Sequence, residues 1–172
     1  EDAVSLCASQ EGLLAAALID GSYGTMAPMM LTVPRPAVNP DAIAQGWKVV
    51  CSEYESLRSV FPTNGLTSPL QVIRSTVTSW AEELPLHIAT RIVSEGSRPP
   101  SVTFDFAETT PIMLQYRWLT DTRAVLFMQG HHVLTDGLSL RIMVARLGEV
   151  LGRMCSGEKV VVAAEPQVCL RT

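Results

Sequence analysis

Residues 112–137 decide the fold, and they read IMLQYRWLTDTRAVLFMQGHHVLTDG. Apolar and polar residues alternate from Leu114 to Trp118, as is typical of a half-buried β-strand. A short polar turn separates this strand from the apolar run AVLFM, so the sequence predicts a β-hairpin over residues 112–128. A helix is predicted to begin near Asp136, because apolar residues recur at helical spacing after it. The segment therefore predicts an antiparallel strand pair joined to a helix by a histidine-containing loop.

The remaining chain predicts further helices and shorter extended segments. Since helices and strands are interspersed and at least one strand pair is antiparallel, we expect an α+β fold with helices packed on a mixed, mostly antiparallel sheet. The predicted segments are a helix capped by Ser9 and ending at Gly21, a strand over 26–33, a helix from Pro40 with its apolar stripe reaching Leu57, extended pieces near 59–61 and 70–77, a helix from Leu84 to Gly96, and a strand over 102–106.

Composition excludes several classes of protein. Of 172 residues, 47% are hydrophobic and 17% charged, and the net charge is −4. This balance argues against a disordered tail, and a mildly acidic chain without a basic block is a poor candidate for binding nucleic acid or an anionic membrane. No apolar run approaches the ~20 residues that span a bilayer. Four cysteines without a C-x-x-C pair predict reduced thiols in a cytoplasmic protein without structural zinc.

The loop at 131–137 carries the candidate chemistry. His131 and His132 are two of the three histidines, the third being His87. A histidine can accept a proton near neutral pH, although a single histidine at a strand end is more often structural. Asp136 is suited to orient an imidazole, form a buried ion pair or cap the helix, and Gly137 lets the backbone approach a ligand. A metal site is disfavoured, since adjacent histidines on an extended segment point to opposite sides.

Three motifs carry a resemblance to a known family. The pattern H-H-x-x-x-D-G at 131–137 resembles the active-site signature of the chloramphenicol acetyltransferase-like superfamily. Residues 7–14 (CASQEGLL) and 55–61 (ESLRSVF) resemble the first and second motifs of condensation domains of nonribosomal peptide synthetases. Cys7, Tyr54 and Ser59 depart from the usual residues of those motifs. The helix around Trp47 resembles fungal members.

The resemblance implies formation of an amide, or sometimes an ester, between a donor acyl or peptidyl thioester and an acceptor, each carried on the 4′-phosphopantetheine arm of a carrier protein. It implies that His132 reacts, that His131 supports the loop, and that Asp136 pairs with Arg58. It further implies that the backbone N–H of Gly137 faces a developing oxyanion and that no small cofactor is permanently bound.

The resemblance also implies that residues 1–172 are the N-terminal lobe of a condensation domain whose C-terminal lobe is absent. The chain lacks an initiator methionine, which suggests a piece of a longer protein. We therefore expect the carrier domains and the C-terminal lobe as partners, and an isolated fragment without turnover. Two alternatives stay open at this point: a CoA-dependent O-acyltransferase of the same superfamily, and an interaction lobe that has lost catalysis.

Overall fold

A computed structural model describes residues 2–20, 29–34, 39–100, 102–121 and 123–160. Within these ranges the chain forms four α-helices and seven strands. The helices are α1 (Ala8–Asp20), α2 (Pro40–Glu53), α3 (Leu86–Glu95) and α4 (Gly137–Cys155). The strands are β1 (Asp2–Ser5), β2 (Met29–Pro34), β3 (Ser59–Val60), β4 (Leu70–Ile73), β5 (Ala81–Glu83), β6 (Ile112–Thr120) and β7 (Arg123–Gly130).

The strands form two sheets. A four-stranded sheet has the order β2-β7-β6-β5, and a three-stranded sheet has the order β1-β4-β3. All of the pairings are antiparallel except β5 with β6, which is parallel. The architecture confirms the predicted α+β fold with a mixed, mostly antiparallel sheet.

Helices α2 and α4 cover one face of the larger sheet. Trp47 on α2 is 1% exposed, and its indole N–H donates to the hydroxyl of Ser79 at 3.0 Å. The two helices approach closely at Gly46, where a Cβ would lie 2.9 Å from Leu151 Cδ2. The main apolar core lies in this layer, which holds β7 and α4 in a fixed relation and so positions the loop between them.

The other face of the larger sheet carries two smaller clusters. One packs α3 against Val125 and Phe127 of β7. The second lies beneath the loop after β7, where Phe61, Phe106 and Val133 pack together with Leu14 of α1. The loop therefore rests on apolar side chains contributed by distant parts of the sequence.

Several predicted boundaries are wrong for identifiable reasons. Residues 102–106 form no strand: Phe104 and Phe106 are buried, but the Asp105 carboxylate accepts bonds from Ala107 N and Glu108 N and turns the chain. Buried and exposed residues thus alternate in this segment although it does not pair with a neighbouring strand of a sheet. Helix α1 begins before Ser9, which lies inside it. The predicted helix end at Gly21 and residues 26–28 of the predicted strand lie outside the described residues.

Other boundaries shift by a few residues. Helix α2 ends at Glu53, and Leu57 lies in a short 3-10 turn. Leu84 precedes α3 and instead donates its backbone N–H to Tyr116 O at 2.8 Å. The predicted hairpin is confirmed as the pairing of β6 with β7.

None of the helices in the described ranges combines the length and apolar character needed to cross a membrane. Cys7, Cys51 and Cys155 are free thiols, whereas Cys169 lies outside the described residues.

Candidate active site

The loop after β7 begins with a close backbone contact at Gly130. A Cβ at this position would lie 3.0 Å from Thr135 Oγ1 and 3.3 Å from Ile112 Cγ1. The absence of a side chain therefore lets the loop fold back on the end of its own strand. The loop then passes through residues 131–136 before α4 begins at Gly137.

His131 organises the loop and is buried, with 2% of its surface exposed. Its backbone N–H donates to Pro111 O at 2.9 Å, and its carbonyl accepts from Leu134 N and Thr135 N. The ring atom Nδ1 accepts from Val133 N at 3.1 Å, so Nδ1 is unprotonated in this arrangement and a neutral ring carries its proton on Nε2. The ring meets Phe106 edge to face at 5.0 Å. These contacts make His131 a support of the loop.

His132 has the opposite environment. Its side chain is exposed, and within the described residues its ring has no hydrogen-bond partner. Both neighbours in the chain are buried, since Val133 is 2% exposed like His131. The loop therefore holds its backbone on both sides of His132 while presenting the imidazole outward. This arrangement suits a group that acts on a molecule outside the chain.

Asp136 is the N-cap of α4. Its Oδ1 accepts from the backbone N–H and from the hydroxyl of Ser139, both at 2.7 Å. Two bonds lower the pKa of the Asp136 carboxyl below its usual value: the larger effect comes from the backbone N–H of Ser139 and the smaller from its hydroxyl. The side chain is exposed. A Cβ at Gly137 would meet nothing within 4 Å, so no contact in the described chain requires glycine there.

The predicted Arg58–Asp136 pair is not formed in this structure. Arg58 is only 6% exposed, whereas Asp136 lies on the surface with Ser139 as its partner. The Arg58 guanidinium donates from Nη1 to Arg74 O at 2.6 Å, and its buried Nε and Nη2 have no hydrogen-bond partner among the described residues. Since Arg74 N also donates to Arg58 O, Arg58 supports the pairing of β3 and β4. Local capping geometry, available within four residues, satisfies Asp136 instead.

The sequence did not reveal the contact made by Gln10. Its side-chain Nε2 donates to Val133 O at 3.1 Å across 123 positions of sequence. Its Oε1 accepts from Cys7 N at 3.1 Å, a bond that caps the start of α1. The only sequence signal was the position of Gln10 in residues 7–14, the opening motif of the chain, and that position does not indicate its partner.

The His132 side chain is exposed among the described residues. A cleft of about 430 Å³ lies near β3 and β4, where Arg74 and Glu108 contribute to its lining, but no residue from 131 to 137 lines it. Among the described residues no group of three His, Cys, Asp or Glu side chains is arranged to hold a metal ion. Within the described residues, the His132 side chain is exposed and lies outside this cleft.

Comparisons with known proteins agree with this architecture. The family profile described as Condensation domain matches residues 1–168. A plipastatin synthase of Bacillus subtilis is 25% identical over 138 residues, which are 77% of this chain and 5% of that protein. The AMB antimetabolite synthetase AmbE of Pseudomonas aeruginosa is 24% identical over an alignment that covers 99% of this chain and 8% of that protein. The chain thus spans a small part of the curated relatives it matches.

Solved structures show the same fold. The starter condensation domain of rhizomide synthetase RzmA has a TM-score of 0.73 and 17% identity, covering 95% of this chain and 42% of that one. The X-domain from teicoplanin biosynthesis has a TM-score of 0.72 and 18% identity, covering 96% of this chain and 35% of that one. Together with the profile match over nearly the whole sequence, these findings confirm the predicted family. The chain therefore belongs to the condensation-domain family found in nonribosomal peptide synthetases.

Proposed function

We propose that this chain supplies the His132 side of a condensation site. There, the amine or hydroxyl of a carrier-bound acceptor attacks the thioester of a carrier-bound donor. A C–N or C–O bond forms, the donor C–S bond breaks, the thiol of the donor arm leaves, and the acceptor loses one proton. Both substrates would be attached to 4′-phosphopantetheine arms of carrier proteins, and no resident cofactor takes part.

The observation that carries this proposal is the contrast between His131 and His132. The His131 ring is buried and makes contacts within the loop, whereas the His132 side chain is exposed between two buried residues. An imidazole in that position can hold or deprotonate the acceptor, or stabilise the tetrahedral intermediate, and a base so placed supplies ~10²–10⁴ in rate. Each of these roles requires an imidazole that a molecule outside the chain can reach.

Gly137 and Asp136 contribute less directly. The N–H of Gly137 lies in the first turn of α4, where helix N–H groups lack intrahelical partners and can face an oxyanion. The Asp136 carboxylate occupies the same helix terminus, however, and its negative charge opposes a second anion there. His132, rather than Gly137, is therefore the residue on which the proposal depends, and Asp136 acts by shaping the start of α4.

We further propose that residues 1–172 are an N-terminal lobe and that a second lobe completes the site. The exposed position of His132 supports this proposal, as does a length that spans 42% of the rhizomide starter domain. Alignment of two reactants can contribute ~7–11 kcal/mol to a barrier reduction, and an open surface cannot supply it. We expect the 172-residue chain alone to give no product, and addition of the C-terminal half to restore it.

The decisive experiment is a condensation assay on the full-length synthetase with both carriers loaded. His132→Ala should lower product formation by at least ~10²-fold while thermal unfolding is unchanged. His87→Ala on the exposed surface of α3 is the matched control and should retain activity. Normal turnover by His132→Ala, or transfer from acyl-CoA to an alcohol without carriers, would contradict the proposal.

A further inference from the structure

The Gln10 side chain joins the opening motif to the loop that carries His132. Its Nε2 lies 3.1 Å from Val133 O, and Val133 is the residue that follows His132. We infer that Gln10 is a positioning residue for His132, acting through the Val133 carbonyl. This inference rests on the proposed role of His132, and it gives the opening motif a task in that reaction.

Both ends of the Gln10 amide have a chemically defined partner. Oε1 accepts from the backbone N–H of Cys7 at 3.1 Å, and Nε2 donates to the backbone carbonyl of Val133 at 3.1 Å. Rotating the amide by 180° would place donor against donor and acceptor against acceptor, so the two backbone groups define its orientation. One side chain therefore caps α1 and holds the loop at the same time.

The contact acts on the Val133 carbonyl, one peptide group beyond the bond that joins His132 to Val133. The N–H of Val133 is held by His131 Nδ1, and its carbonyl is held by Gln10, while its side chain is buried. These three contacts restrain the backbone of Val133 on both sides of its Cα atom. Because His132 precedes Val133 directly, rotation about the Val133 backbone would change the direction in which the imidazole leaves the loop.

The same hydrogen-bond chain reaches the second motif. Gln71 Oε1 lies 3.5 Å from Gln10 Nε2, and Gln71 Nε2 donates to Ser59 Oγ at 2.8 Å. The Ser59 hydroxyl donates in turn to Glu55 O at 2.9 Å. The first and second motifs, which lie far apart in the sequence, are thus connected to the 131–137 loop through one line of side chains.

Gln10→Glu separates the two tasks of this side chain. The substituted carboxylate still accepts from Cys7 N, and a negative charge suits the first turn of a helix, so α1 stays capped. The donor to Val133 O is lost, and a carboxylate faces a carbonyl instead. We expect kcat of the full-length synthetase to fall about 10- to 100-fold with little change in KM for the loaded carriers or in thermal unfolding.

Two further measurements distinguish positioning from a general structural role. Hydrogen exchange of residues 131–136 should be faster in Gln10→Glu, whatever His132 does in catalysis. The ratio of variant to wild-type kcat should rise as pH falls toward ~4–5, because protonation gives the introduced carboxyl an O–H that can donate to Val133 O. Ala15→Glu, which adds a charge on the exposed face of α1, is the matched control and should behave as wild type.

The outcomes separate the inference from the proposed function. Wild-type kcat and exchange in Gln10→Glu, with His132→Ala inactive, would overturn the positioning role and leave the proposed function intact. Faster loop exchange in Gln10→Glu together with full activity in His132→Ala would support the restraint of the loop by Gln10 and overturn the proposed role of His132. Slow turnover, faster exchange and partial recovery at low pH, confined to Gln10→Glu, would support the inference.

Discussion

Asp136 and Ser139 form a closed capping pair at the start of α4. The Asp136 carboxylate accepts from both the backbone N–H and the hydroxyl of Ser139, at 2.7 Å each. Because these bonds favour the charged carboxylate, the pKa of Asp136 is lower in the folded protein than the ordinary value of 3.8. The stabilisation of the folded protein by the charged Asp136 is therefore complete above pH 3.8, and it is lost as pH falls through the lowered pKa.

We predict that Asp136→Ala lowers the melting temperature at neutral pH, whereas Asp136→Asn, which can cap a helix equally well, leaves it nearly unchanged. The difference between wild type and Asp136→Asn should vary with pH only in the acidic range below 3.8. Thermal unfolding followed by circular dichroism from pH 2 to 7 is the measurement. A large loss of stability in Asp136→Asn at pH 7 would show that the charge has a partner beyond Ser139.

Arg58 and Asp136 should be energetically independent. Arg58 bonds to Arg74 O and Asp136 bonds to Ser139, so neither substitution removes a partner of the other. In a double-mutant cycle with Arg58→Ala and Asp136→Ala, we expect the two changes in unfolding free energy to add. A strong coupling energy between the two substitutions would instead support the Arg58–Asp136 ion pair predicted from the sequence.

Gly130→Ala should disturb the loop at 131–136 where it contacts the end of β7. The added Cβ would lie 3.0 Å from Thr135 Oγ1 and 3.3 Å from Ile112 Cγ1, so strand and loop must separate slightly. We expect a destabilisation of ~1–3 kcal/mol, the range for overpacked cores, measured by urea unfolding. Ile112→Val should relieve part of this loss in the double variant. Equal stability of Gly130→Ala and wild type would show that the loop adapts freely.

Cysteine alkylation should follow burial. Cys51 is buried, and burial raises the pKa of its thiol, so iodoacetamide should modify it only after unfolding. Cys7 is exposed, and the hydrogen bond from the Ser9 side chain lowers the pKa of its thiol. Peptide mass spectrometry should therefore show rapid labelling of Cys7 in the native protein and slower labelling in Ser9→Ala. Fast native labelling of Cys51 would contradict the packing between α2 and the sheet.

Glu53 and Arg146 should couple helices α2 and α4. Arg146 Nε and Nη2 donate to the two carboxylate oxygens of Glu53 at 2.8 and 2.7 Å, and both side chains are partly buried, with 28% and 20% of their surfaces exposed. Alanine substitutions in a double-mutant cycle should give a coupling of about 1–2 kcal/mol, as expected for a bidentate charged pair. The more exposed pair Arg153–Glu158 is the control, with an expected coupling of ~0–1 kcal/mol. Equal coupling energies for the two pairs would contradict the expectation that the less exposed pair is coupled more strongly.

The sequence by itself determined the fold class, the β6–β7 hairpin, the two helices α2 and α4, and the position of the loop between β7 and α4. Each of these depends on local periodicity, turn residues or a contiguous motif, which the chain order preserves. The parallel pairing of β5 with β6 was not readable, because a three-residue strand carries almost no pattern. The segment at 102–106 shows the reverse case, since its residues alternate in burial but form no strand, and the chain turns after Asp105.

Only the tertiary structure decided the partners of the loop residues. Adjacent histidines on an extended segment point to opposite sides, but packing against Phe106 is what made His131 the buried one. Asp136 could satisfy its charge with Ser139 nearby or with a distant arginine, and the choice depended on where Arg58 came to lie. The bond from Gln10 to Val133 joins residues 123 positions apart, and such a contact exists only once α1 has packed beneath the loop.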